Sequence, residues 1–211
     1  MNNSDLQNPE LSIVIPLYNE TYNIEPLYKE IIKSLNSIII FEIIYVDDGS
    51  NDNSHLILDN LKKEKFVKVI KHNRNLGQSF SLLSGVKEAK YETIVTLDGD
   101  GQNIPGDIIK LIEVYFASKN LCLVGGIREY RKDSNLKIIS SKIANFVRSS
   151  ILQDKCADTG CGLKVFNKEK FLSLPFFDGI HRFLPALFRG FGYNISFVQV
   201  GHRPRIHGIS K

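Results

Sequence analysis

The chain has 211 residues, with 43% hydrophobic and 24% charged residues, which suits one compact globular domain and is short for two. No apolar run reaches the roughly 18 residues of a membrane-spanning helix. The net charge is only +4, but no acidic residue follows Asp178 whereas five Arg and Lys residues do, so we expect the carboxy-terminal end to face something anionic.

Residues 1–10 are polar, lack the apolar core of a secretion signal, and are predicted to form a disordered tail. The three cysteines, Cys122, Cys156 and Cys161, form no C-x-x-C pair and would leave an odd thiol in any disulfide scheme. The sequence therefore favours a reducing, cytosolic environment.

Strand and helix patterns alternate through the first half of the chain. Short apolar runs predict strands over 11–18, 41–46, 66–70 and 93–97. Helices are expected from about 19 to 37, after Asp52 or Ser54 as the capping residue, and over 77–90. This alternation predicts an α/β fold, a doubly wound and mostly parallel sheet with helices on both faces, in a single domain over 11–211.

The second half continues with a helix over 105–119 and a strand over 121–127 that ends at Arg128. Apolar residues at helical spacing, with Lys and Arg between them, predict an amphipathic basic helix over about 135–152, which suits either a core-facing helix or a membrane surface. Further on we expect a turn-rich loop at 158–162, a strand at 163–166, a helix at 181–190, a strand at 193–200 and a basic loop at 201–211.

Acidic side chains follow three of the predicted strands, where a parallel sheet binds its ligands. Asp98, Asp100 and Gln102 offer hard oxygen ligands of the kind that Mg²⁺ or Mn²⁺ takes together with substrate phosphates. A calcium loop fits poorly, because the sixth and twelfth positions counted from Asp98 are Asn103 and Ile109 instead of Gly and Glu. On this motif alone, an acidic turn without a ligand remains an alternative.

Neither glycine-rich phosphate-binding motif is present: the dinucleotide fingerprint is absent after the first strand, and so is the phosphate loop that ends in G-K-[ST]. Phosphates bound here would be held by a cation and by basic side chains. The loop at 201–211 carries Arg203, Arg205 and Lys211 and is suited to clamping phosphate.

Together these motifs resemble the inverting family 2 glycosyltransferases of GT-A fold, and within them the dolichyl-phosphate mannosyltransferase and bacterial polyprenyl-phosphate sugar transferase branch. The likeness extends over residues 11–211. Five segments carry it, in order: PLYNE at 16–20, DDGS at 47–50, NRNLG at 73–77, DGDGQ at 98–102 and RIHGISK at 205–211.

The resemblance implies a role for each matching position. The base and ribose of a UDP- or GDP-sugar would bind near Pro16, Tyr18, Glu20, Val46 and Asp48, with Gly99 against the nucleotide. Asp98, Asp100 and Gln102 would hold Mg²⁺ or Mn²⁺ on the diphosphate. Arg128, Arg205, Ser210 and Lys211 would bind the phosphates, and the catalytic set would be Asp100, Arg128, Arg205 and Lys211.

The implied acceptor is an undecaprenyl or dolichyl phosphate, at the cytoplasmic face of an anionic membrane, reached by a peripheral enzyme or by the soluble part of a longer anchored chain. Two alternatives stay open: transfer to a saccharide hydroxyl, with Asp158 as base, and a non-catalytic sugar-nucleotide binding module. Nucleic acid is disfavoured because the acidic loops would repel it. The oligomeric state is not fixed, and a homo-oligomer is one of the options.

Overall fold

The computed structural model describes residues 9–35, 39–118, 120–129, 158–205 and 207. The predicted helix over about 135–152 lies outside these residues, as do Cys156, Ser210 and Lys211. The strands are β1 (Glu10–Leu17), β2 (Ile40–Asp47), β3 (Val67–Lys71), β4 (Thr93–Thr96), β5 (Leu121–Arg128), β6 (Lys164–Asn167) and β7 (Asn194–Val200).

Six helices connect these strands within the described residues. They are α1 (Thr21–Leu35), α2 (Ser54–Leu61), α3 (Gln78–Glu88), α4 (Ile108–Ala117), α5 (Lys168–Leu172) and α6 (Ile180–Gly190), with a single 3-10 turn at Pro105–Asp107. Strand β1 begins at Glu10, inside the segment predicted to be a disordered tail. Helix α5 was not predicted, because five residues show too little periodicity.

All seven strands form one sheet in the order β3-β2-β1-β4-β6-β5-β7. Strands β1 to β4 are parallel, and β5 and β7 are parallel to each other, but β6 runs antiparallel to its neighbours β4 and β5. The predicted mostly parallel α/β sheet is therefore confirmed. Because β6 runs antiparallel to β4, its first residue, Lys164, lies at the edge where β4 ends and pairs with Thr96, the last residue of β4.

The side chains of each central strand alternate between two apolar layers, which places helices on both faces. Ile13 and Tyr45 belong to the layer shared with α1, α2 and α4, and Val14 and Ile44 to the layer shared with α3, α5 and α6. All four side chains are fully buried. Both faces are covered, as a parallel sheet requires, so ligands are restricted to its edges.

One predicted helix cap is wrong. The residue before α2 is Asn53, and neither Asp52 nor Ser54 occupies the cap position. Asp52 still accepts a hydrogen bond from Ser54 N at 2.9 Å, while Ser54 Oγ accepts one from Glu20 N at 3.1 Å. These side chains thus tie the start of α1 to the start of α2 at the ligand-binding edge.

Candidate active site

The acidic loops predicted to meet do lie along one edge of the sheet. Strands β2, β1 and β4 are parallel neighbours, so their carboxyl ends bring Asp48, Glu20 and Asp98 to the same edge. Asp48 and Glu20 are both buried, at 4% and 6% exposed. Buried carboxylates need partners of opposite charge or hydrogen-bond donors, and these define the site.

The loop after β4 is held in shape by its own polar groups. Asn103 Oδ1 accepts a hydrogen bond from Asp98 N at 3.1 Å, and Asp100 Oδ1 accepts one from Gln102 N at 3.1 Å. A side chain at Gly99 would meet Leu17 Cβ at 2.8 Å, so glycine is required there by the end of β1. Gly99 can offer a nucleotide only main-chain atoms.

The Asp98 carboxylate lies in a confined position. Gln78 Nε2 donates to its Oδ1 at 2.9 Å, and Gly162 lies directly against the carboxylate. Burial, reinforced by repulsion from Asp100, raises the pKa of Asp98 to about 6, although Lys164 and Arg128 oppose the rise. A cation between the two aspartates would relieve this cost.

We expect Asp98 to destabilise the metal-free protein increasingly as the pH rises from about 4 to about 6, whereas the partly buried His181, with its lowered pKa, has the opposite effect over a similar range. The folded chain holds the Asp98 proton with a pKa of about 6 against an ordinary 3.8, so deprotonation favours the unfolded chain between these values. The effect amounts to at most about 3 kcal/mol. Urea unfolding in EDTA at pH 4 and pH 8, compared between the wild-type chain and Asp98→Asn, isolates most of it. The wild-type chain should lose stability relative to Asp98→Asn over this interval, and an equal pH dependence in the two proteins would contradict the assignment.

Asp100 forms an ion pair with a residue from the far end of the chain. Arg205 Nη2 donates to Asp100 Oδ2 at 2.9 Å, and Arg205 Nη1 donates to Glu20 Oε1 at 3.2 Å. Asn23 Nδ2 donates to the other Glu20 oxygen at 2.6 Å. Arg205 therefore lies against the acidic edge, in contact with two of its carboxylates.

The segment before Arg205 is fixed to the same loop. Arg203 N donates to Gln102 O at 3.1 Å, and the Arg203 guanidinium donates to Gly101 O and to both carboxylate oxygens of Glu30 on α1, with Nη1 to Oε1 at 2.7 Å. Asn103 and His202 form an isolated antiparallel bridge. Sequence reasoning missed the partnership of Glu30 and Arg203, because a glutamate on a helix normally faces solvent.

Two predicted donor-binding residues, Asp48 and Val46, have side chains that are already engaged by the protein. The Asp48 carboxylate accepts hydrogen bonds from Leu76 N at 3.0 Å and Gly77 N at 2.8 Å and contacts His72 Nδ1 at 2.7 Å. It thus holds the loop at 73–77, and these contacts use three of the about four lone-pair positions of the carboxylate. The Val46 side chain is fully buried under α3, which leaves only its main chain for a donor.

Arg128 and Asp158 form a bidentate ion pair. Arg128 Nε and Nη2 donate to the two Asp158 carboxylate oxygens, each at 2.6 Å, and the side chains are 11% and 8% exposed. A carboxylate held in this way is a weak proton acceptor. The geometry therefore disfavours Asp158 as a general base and places Arg128 at the edge with Asp98.

The predicted metal ligands fit a cation that is shared with phosphates. No group of three His, Cys, Asp or Glu residues suited to a metal occurs among the residues that the structure describes. Asp98, Asp100 and Gln102 all lie in the loop after β4, and Gln102 Nε2 donates to Arg203 O at 3.3 Å, which leaves the Gln102 side-chain oxygen available to a cation. Mg²⁺ is typically held by one or two carboxylates plus substrate phosphates.

A cavity of about 310 Å³ opens beside Asp98 on the α3 and α6 side of the sheet. Its walls include Pro16 from β1, Gln78 from α3, Lys164 from β6 and His181 from α6. His181 Nδ1 lies 2.8 Å from Ser79 Oγ, and burial lowers the pKa of His181 to about 4. Neither Lys164 nor His181 was predicted as a site residue.

The sequence profile described as Glycosyl transferase family 2 matches residues 12–174. The chain belongs to this family. Two relatives are each 33% identical: dodecaprenyl-phosphate galacturonate synthase of Rhizobium johnstonii, over 99% of this chain, and undecaprenyl-phosphate 4-deoxy-4-formamido-L-arabinose transferase of Aeromonas hydrophila, over 100%. This family 2 chain spans 63% and 64% of their respective lengths.

Solved structures confirm the fold. Glucosyl-3-phosphoglycerate synthase from Mycobacterium tuberculosis, in complex with Mn²⁺, UDP and phosphoglyceric acid, superposes with a TM-score of 0.70 at 19% identity, over 93% of this chain and 72% of its own. A complex of the same enzyme with Mg²⁺ and UDP superposes with a TM-score of 0.70 at 18% identity, with the same coverage of both chains. In the described part of this family 2 chain, no helix is long and apolar enough to cross a bilayer.

Proposed function

We propose that the protein catalyses metal-dependent, inverting transfer of a sugar from a UDP- or GDP-sugar to a polyprenyl phosphate at a membrane surface. One observation carries the proposal: Arg205 reaches from the carboxy-terminal segment to Asp100 and Glu20, at 2.9 and 3.2 Å. An arginine set against the acidic edge suits a reaction in which two phosphate compounds must meet. The names of the two relatives, both polyprenyl-phosphate sugar transferases, support this acceptor class.

The chemistry follows from charge. A phosphate monoester has a second pKa near about 6, so the acceptor is largely a dianion at neutral pH and needs no general base. The obstacle to the reaction is electrostatic repulsion between this acceptor dianion and the donor diphosphate. Arg128 and Arg205 supply fixed positive charge next to the aspartates, which holds the two anions in line for displacement at the anomeric carbon.

The proposed donor site lies at the ends of β1 and β2. Pro16, Tyr18 and Glu20, with the main chain of Val46 and the remaining acceptor position of Asp48, would surround the base and ribose. Bound at Asp98, Asp100 and Gln102, Mg²⁺ or Mn²⁺ would neutralise the diphosphate and stabilise the departing nucleoside diphosphate. Structures of a fold relative with Mn²⁺ or Mg²⁺ and UDP support this choice of cation.

The proposed acceptor is a membrane lipid, and we propose that the enzyme meets it at the cytoplasmic face. Lys211 and Ser210, which lie outside the described residues, are proposed to extend the phosphate clamp that Arg205 begins. Transfer to a saccharide hydroxyl is the weaker candidate, because Asp158 is committed to Arg128.

The test is release of nucleoside diphosphate from a panel of nucleotide sugars. We expect release only when polyprenyl phosphate and Mg²⁺ or Mn²⁺ are both present, and a product of opposite anomeric configuration to the donor. Asp100→Asn should lower turnover about 100-fold or more, because it removes a ligand that stabilises the developing charge. Asp59→Asn is the matched control, since Asp59 pairs with Lys71 Nζ on the surface at 2.7 Å. Equal turnover with a soluble sugar acceptor would refute the lipid acceptor.

A further inference from the structure

The two aspartates of the loop after β4 face different spaces. Asp98 lines the cavity of about 310 Å³ described above, which we call the Lys164 cavity. Asp100 lines a separate cavity of about 180 Å³ beside α1, together with Arg203 and His207. A cation held between the aspartates would therefore have one cavity on either side. The Lys164 cavity is at the lower end of the usual volume of small-molecule sites.

Lys164 is the deepest cationic group of the Lys164 cavity. The residue is 5% exposed, and its ammonium donates to Cys161 O. Within the part of the chain that the structure describes, this is its one hydrogen-bond acceptor, and no carboxylate lies within ion-pair distance. An ammonium has three N–H donors, so two remain for a ligand. A buried ammonium with so few partners is costly unless an anion completes its shell.

The other ionisable groups of the Lys164 cavity do not neutralise Lys164 once a cation is bound. Asp158 is committed to Arg128, and His181 is neutral at physiological pH because burial lowers its pKa to about 4. Arg182, at the exposed start of α6, adds a second positive charge to the wall. Asp98 is the remaining negative group, and a bound cation would engage it. The Lys164 cavity therefore carries a net positive charge when a cation is bound at Asp98.

We propose that Lys164 binds an anionic oxygen of a substrate inside the Lys164 cavity, a proposal that rests on the function proposed above. Two sources offer that chemistry: a carboxylate on the transferred sugar, or the phosphate of the lipid acceptor. The cavity lies beside Asp98, next to the proposed diphosphate site, so either group would sit close to the anomeric carbon. Lys164 is then a substrate-binding residue that determines which sugar or acceptor enters.

The direct test measures binding without turnover. Isothermal titration with inorganic phosphate, galacturonate and neutral galactose, in the presence of Mg²⁺ and UDP, should detect one or both anions and not galactose. Lys164→Met should weaken anion binding about 10- to 100-fold, the usual effect of losing a charged hydrogen bond, and Lys164→Arg should retain most of it. Lys168→Met is the matched control, because Lys168 Nζ also donates to a carbonyl, Ala89 O at 2.6 Å, away from the cavity.

Every outcome of the titration decides the proposal. A loss confined to galacturonate assigns Lys164 to the transferred sugar, and a loss confined to phosphate assigns it to the acceptor. Loss for both is resolved by steady-state kinetics, where the defect falls on the KM for the charged donor or on the KM for polyprenyl phosphate. If neither anion binds, or Lys164→Met binds as tightly as wild type, the proposal is overturned. Should Lys164→Met not fold, Lys164→Gln replaces it. Even if the protein does not catalyse the proposed sugar transfer, these titrations still report whether Lys164 binds an anion.

Discussion

Replacing Arg205 by alanine is expected to lower sugar transfer about 100- to 1000-fold while leaving UDP binding in the presence of Mg²⁺ intact or slightly tighter. The guanidinium bridges Glu20 and Asp100 and is 19% exposed, so it lies where the two phosphates would meet. Removing one preorganised charge at such a point has an effect of this size. Arg205 and the cation would compete for the Asp100 carboxylate, so removing Arg205 should also favour cation binding. Transfer rates and UDP titrations measure the two effects separately.

The controls separate charge from shape. Arg205→Lys keeps a positive charge but not the planar fork that reaches both carboxylates, so we expect partial recovery. Arg189→Ala removes an exposed arginine at the end of α6 and should leave both measurements unchanged. Full activity in Arg205→Ala would contradict the phosphate role, and parallel loss of UDP binding would reassign Arg205 to the donor.

Most of the sheet could be predicted from sequence because local signals are strong there. The β-branched run at 93–97 and the apolar runs at 11–18 and 41–46 can form buried strands, and parallel pairing then forces their acidic ends together. The resemblance to a known family added the expectation that Arg205 binds the phosphates. In the structure Arg205 contacts Asp100 at that edge, across more than a hundred residues of sequence.

Lys164 escaped prediction for a physical reason. The four residues of β6 carry no signal for strand direction, and in a parallel strand the first residue would lie at the edge opposite the site. Antiparallel pairing with β4 instead places Lys164 beside Thr96, at the edge that carries Asp98. The partnership of Glu30 with Arg203 is missed similarly, because a contact between a helix surface and a distant loop leaves no local pattern.

Gly162 is predicted to be the most sensitive glycine of the site. A Cβ at this position would lie 2.1 Å from Asp98 Oδ2 and 2.3 Å from Asp98 Cγ, so Gly162→Ala must push the carboxylate aside. A displacement of about 1 Å in an active site can cost about 100-fold in rate. We expect kcat/KM to fall by about that factor and UDP binding with Mg²⁺ to weaken, while circular dichroism remains native.

A double-mutant cycle identifies the cause of that loss. If the added methyl group acts through Asp98, Gly162→Ala should destabilise the wild-type chain but have almost no effect on stability in an Asp98→Ala background, since the clashing atoms are gone. Gly190→Ala is the matched control, because a Cβ there meets nothing within 4 Å. Equal destabilisation by Gly162→Ala in both backgrounds would mean that the glycine serves the local backbone instead. The coupling energy therefore tests whether the loop at 158–162 sets the position of Asp98.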